Sequence, residues 1–179
     1  MSLQTEARRL IAEITEAFAE VPHPGPKNIT NEGCCEECDE IAAWYGWHTA
    51  EELLRELEIH ENESPSMLLK PSAFHYFLPA YLIHSLEPFD PEADRLSSCV
   101  YALCSIFETT QDKYIANIHS EEMRLFNSRQ RNAIVSYLRF LARVFEMTEC
   151  ETLEFWMDRL RKGIEHWSNS ASNSIMKDL

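Results

Sequence analysis

Between Ser128 and Phe145, apolar residues fall on two adjacent helical stripes. Ile134, Leu138, Leu141 and Phe145 form one, and Ala133, Tyr137, Phe140 and Val144 form the other. A helix with one apolar stripe rests on a core, whereas two adjacent stripes call for neighbours on two sides. This segment is therefore predicted as the central helix of an all-α domain. The rest of the chain supplies amphipathic partners. Leu3, Ala7, Leu10, Ile11, Ile14 and Phe18 recur at helical spacing, and "VPHPGP" ends that helix because proline removes a donor and restricts the residue before it. A second helix is expected from near Cys34 to Tyr45, capped by Gly46. A third begins at Thr49, with Glu52 in capping-box position.

Ser64 and Pro65 read as N-cap and N1 of a further turn, and Ser72 as the cap of a helix over 73–86 that Pro79 should kink. Asp90 and Pro91 repeat the cap-and-proline signal before Leu96, Val100, Leu103 and Phe107. Residues 108–119 read as a connection, and 120–126 as a short helical turn. A last helix, from about Glu149, aims Leu153, Trp156, Leu160, Ile164 and Trp167 inward. Four glycines in 179 residues fit helices better than turn-rich strands, and no stretch alternates as a strand would. The expected architecture is an all-α irregular bundle of roughly seven helices in a single domain. It spans 1–167 and is followed by a polar, frayed tail over 168–179.

The net charge is -14, with 30 acidic against 16 basic side chains. A field of that sign repels phosphate, so nucleic acid and anionic membranes are not expected partners; a basic protein is. The charge is uneven. Over 32–63 the only base is Arg55, while Arg124, Arg129, Arg131, Arg139 and Arg143 occur in a stretch without acids. Either the two stretches pack on each other, or the acidic one is a docking face. The N-terminus has no long apolar core of the signal-peptide kind, and no stretch approaches the ~20 apolar residues that span a bilayer. A cytoplasmic location is expected, with the six cysteines reduced.

Four segments, "LIAEITEAFAEVPHPG", "CEECDEIAAWYG", "LLKPSAFHYFLPAYLIHSLE" and "SRQRNAIVSYLRFLA", together resemble a family of uncharacterised bacterial helical domains. The Cys-x-x-Cys at Cys35 and Cys38 and the run from Phe74 to Leu82 are the most specific parts. The resemblance covers about residues 10–142. It implies a helical fold and a bacterial cytosolic origin, leaves activity open, and admits an immunity-type role by association.

"NEGCCEECDE" has three readings. Cys-x-x-Cys at a helix start is a redox arrangement, but four flanking carboxylates oppose a thiolate, and the strand–helix–strand setting is missing. Zinc suits thiolates among acids, and Cys35 and Cys38 would form one knuckle; His48, Cys34, His23 and His60 are candidates to complete the shell. Packing is the preferred reading, because Cys34, Cys38, Ile41 and Tyr45 share one helical face. It leaves Cys35 unexplained. The site expectation is therefore Cys35, Cys38 and His48 as metal ligands, if a metal is bound at all. No other cofactor is expected.

The remaining constellations point to structure. His75 and His84 lack a nucleophile or carboxylate partner, the serines lack a nucleophile elbow, and no second Cys-x-x-Cys or glycine-rich phosphate loop exists. Glu36/Glu40 and Glu52/Glu56 read as a solvated face. Trp44, Tyr45, Trp47, Phe74, Tyr76, Phe77 and Tyr81 read as core, except that a Trp44 or Trp47 exposed beside the acidic helices would be an interface anchor. The functional expectation is a non-enzymatic interaction domain with an acidic face over 32–63. The alternative is a zinc-binding domain centred on Cys35 and Cys38.

Overall fold

The computed structural model describes residues 2–31, 33, 35–57, 68–87, 89–90, 96, 99–100, 103–104, 123–147 and 153–169. Six α-helices and one short 3-10 helix are delimited among them: α1 (Leu3–Phe18), the 3-10 turn Pro26–Asn28, α2 (Glu36–Tyr45), α3 (Ala50–Leu57), α4 (Pro71–Leu86), α5 (Ser128–Met147) and α6 (Leu153–Asn169). No strand occurs among the described residues, so the all-α expectation holds. The signals at Ser64 and Pro65, the helix start at Pro91 and the connection over 108–119 lie outside the described residues. Leu96, Val100 and Leu103 are buried, with helical backbone.

The helix ends follow local chemistry. Ser2 caps α1, accepting from the Thr5 N–H at 3.2 Å. Thr49 and Glu52 form the expected capping box: the Glu52 N–H donates to Thr49 Oγ1 (3.1 Å) and the Thr49 N–H to Glu52 Oε2 (2.8 Å). α4 departs from expectation at its start. Lys70, rather than Ser72, is the N-cap, and Pro71 takes the first helical position, where its missing N–H costs nothing. Pro79 lies inside α4, as expected. α6 runs to Asn169, two residues beyond the expected end of the domain at 167.

α5 is the central element. Both of its stripes are buried, and it packs against α1 and α6. α1 also packs on α4, and α4 on α3. The α1–α5 seam carries charge as well as apolar surface. Glu6 is buried on α1 and paired with Arg143, Glu16 pairs with Arg129, and the Ser136 hydroxyl donates to Glu13 (3.1 Å). The arginine helix thus packs on the acids of α1, outside 32–63. At the α6 seam Gly163 permits close approach, since a Cβ there would lie 2.6 Å from Cys104 Sγ.

Two side-chain bridges tie α4 to α5. Tyr137 and Ser85 share a buried hydrogen bond (2.7 Å), and the Ser85 hydroxyl donates to the Leu82 carbonyl. Burial holds the Tyr137 phenol well above its ordinary pKa, so it stays protonated. At the other bridge, Asn127 and Gln130 cap the start of α5 reciprocally, and Gln130 Oε1 also accepts from His75 Nε2 (3.0 Å). His75 is therefore structural, as its sequence context implied. Burial lowers its pKa, and the Gln130 bond opposes this only in part.

The folded state consequently holds protons on His75 less readily than the unfolded chain does. The unfolded chain takes up the extra proton below about pH 6.5, so stability is lost as pH falls through that value towards the lower folded one. The denaturation midpoint of the wild type should fall relative to that of His75→Gln between about pH 7 and pH 5. Urea titrations at several pH values measure this, and parallel curves would remove His75 from the account.

Candidate functional site: the acidic face around Trp47

The face is built by α2, the turn Gly46–Thr49 and α3. Three acids occupy the first turn of α2, where the positive end of the helix dipole favours them. Glu36, Glu37, Asp39 and Glu40 on α2, and Glu51 and Glu52 on α3, are all exposed. Among the described ion pairs, the one on this face joins Glu51 to Arg55 within α3. Hydrogen bonds from the Thr49 backbone and hydroxyl hold the Glu52 carboxyl below its usual pKa, so it remains ionised at neutral pH.

Trp47 lies on the turn that joins these two acid-bearing helices, with 79% of its surface exposed. Reading it as core was wrong, and the chain geometry explains why. Gly46 ends α2 by donating its N–H to the Ala42 carbonyl (3.0 Å). It sits so close to Pro26 that a Cβ there would lie 3.1 Å from the proline Cβ. One residue later the chain has left the helix, and Trp47 no longer follows its buried face. Its neighbours behave as the core reading expected. Tyr45 is buried, its hydroxyl bonded to that of Tyr81 and its ring set edge-on to Phe77 at 5.0 Å. Trp44 is half-buried and stacks on His48, with ring centroids 4.6 Å apart.

The cysteine segment resolves into different roles. Cys38 is 2% exposed and belongs to the packed face of α2 together with Tyr45 and the half-buried Ile41. Cys34, the other member of that predicted stripe, lies outside the described residues. Cys35, which the stripe left unexplained, is the N-cap: its extended backbone starts α2, and Sγ accepts the Cys38 N–H at 3.4 Å. The sequence signal for this was its position immediately before an acidic first turn. His48 directs Nδ1 to the Trp44 carbonyl oxygen. Among the described residues no three His, Cys, Asp or Glu side chains are placed to hold a metal ion, so Cys35, Cys38 and His48 do not form such a group. His23 lies on the far side of the Pro26 turn, accepting from the Gly25 N–H with its ring edge-on to Tyr76. His60 lies outside the described residues.

Two measurements follow from this geometry. Serine caps helices better than a thiol, so Cys35→Ser should hold or raise stability by up to about 1 kcal/mol. A drop in melting temperature together with loss of bound zinc would instead make Cys35 a metal ligand. Measured against the quenching of free N-acetyltryptophanamide by the same ion, Trp47 fluorescence, read as the difference between wild type and Trp47→Phe, should be quenched relatively more by caesium than by iodide at low salt. The preference should fade as salt screens the carboxylates. The same relative quenching by both ions would show that the acids do not set the potential at Trp47.

No helix among the described residues is long and apolar enough to cross a membrane. The chain matches no curated protein and no solved structure. Residues 6–171 match a family model, a span that includes α6 and so extends past the segments in which the resemblance was read. The chain belongs to that family, described as a family of unknown function (DUF6714).

Proposed function

We propose that the chain is a non-enzymatic, cytoplasmic interaction domain that binds a basic protein through the α2–α3 face, with Trp47 as its apolar anchor. The exposure of Trp47 on the turn between two helices that carry exposed carboxylates is the observation that supports this reading. A large aromatic in water costs free energy that a partner's surface can recover, and aromatics of this kind dominate interface energetics. The surrounding acids favour a cationic partner and speed its encounter. Two arginines of α5, Arg129 and Arg143, pair with α1 and not with these acids. An immunity-type role, in which the face covers a basic toxin, is one form the proposal takes.

The test is affinity capture from native lysate with wild type, Trp47→Ala and the double variant Glu51→Lys/Glu52→Lys. A basic protein recovered by wild type should be lost from both variants while their melting temperatures stay within a few degrees of wild type. Recovery unchanged by both variants would overturn the proposal.

A further inference from the structure

We propose that Cys35 and Cys38 form a redox-convertible dithiol that exchanges with neutral or cationic disulfides. Both are thiols in the structure, and they differ in the way an attacking and a resolving thiol must. Cys35 is exposed and open to a disulfide substrate; Cys38 is buried one turn further on. Cys35 Sγ is turned over the first turn of α2, 3.4 Å from the Cys38 N–H. That donor meets negative charge developing on the sulfur during exchange and works against the flanking carboxylates, which oppose a thiolate. A relaxed disulfide holds its Cβ atoms about 3.8 Å apart. Whatever movement closure needs falls to the end that the helix does not hold. Cys38 is held in the helix, its carbonyl accepting from the buried Thr30 hydroxyl at 2.9 Å. Cys35 lies outside the helical dihedrals, at φ -164 and ψ 167, and takes up the shift.

The chemistry balances with an external disulfide, RSSR, as oxidant. The Cys35 thiolate attacks one sulfur, forming a mixed disulfide and expelling RS⁻. Cys38 gives its proton to the expelled RS⁻, attacks Cys35 Sγ and expels the second RS⁻. The chain gives up two electrons and two protons, and RSSR becomes two RSH. Glu36, Glu37 and Asp39 surround the attacking sulfur in sequence and are exposed. They repel an anionic disulfide and attract a cationic one.

The experiment uses the full chain carrying Cys34→Ser, which removes the adjacent thiol. It is incubated with cystamine or with oxidised glutathione, quenched in acid, alkylated, digested and mapped by mass spectrometry. The expected result is a peptide that has lost two hydrogens and carries no alkyl group at Cys35 or Cys38. Adding Cys38→Ser should instead trap one cysteamine half on Cys35 as a mixed disulfide. Cystamine should react at least several-fold faster than glutathione at low salt, with the rates converging as salt rises. A Cys35 that keeps the mixed disulfide while Cys38 is alkylated would overturn the dithiol, as would alkylation of both. Equal rates for the two reagents at low salt would overturn the charge selection.

Discussion

The seam between α1 and α5 organises this molecule. α5 buries two apolar stripes, so it needs cover on two sides, and α1 and α6 provide it. The same seam uses α5's basic residues. Arg143 reaches the buried Glu6, and Arg129 reaches Glu16. A carboxylate buried as deeply as Glu6 needs a charged partner, because an unpaired charge there would be strongly destabilising. Once these arginines are committed to α1, they do not neutralise the acids of α2 and α3. The core's electrostatics and the charge of the distant face are thus two consequences of one packing arrangement.

The face itself depends on how α2 begins and ends. Cys35 starts the helix with a sulfur acceptor, and Gly46 ends it against Pro26. Between those points Cys38 and Tyr45 hold the helix on the core while its acids point to water. The residue that follows the end, Trp47, is released into solvent. A large apolar surface exposed between acid-bearing helices is a combination that a folded domain gains nothing from by itself, and the proposed partner rests on it.

Much of the fold was legible in the residues. The two stripes of α5, the Thr49–Glu52 capping box, the glycine that ends α2 and the internal Pro79 were all readable, because each depends on neighbours within a turn or two. The cap of α4 was misassigned to Ser72 because serine is the better capping side chain, yet Pro71 sets the first helical dihedral and moves the boundary to Lys70. Trp47 was grouped with Trp44 and Tyr45 on hydrophobicity alone. A break in helical phase at Gly46 separated it from them. The His75–Gln130 bridge was invisible because nothing near either residue marks the other.

The sequence alone therefore determined the helical class, most helix boundaries and the acidic excess, since periodicity, capping and composition act over a few residues. Tertiary structure alone decided which arginines meet which acids, which aromatic stays in water and which cysteine is buried. Those outcomes rest on contacts such as Glu6 with Arg143, 137 residues apart, and Tyr45 with Tyr81, 36 apart. No local pattern encodes such pairings, because the side chains meet only when separate helices pack on a shared core.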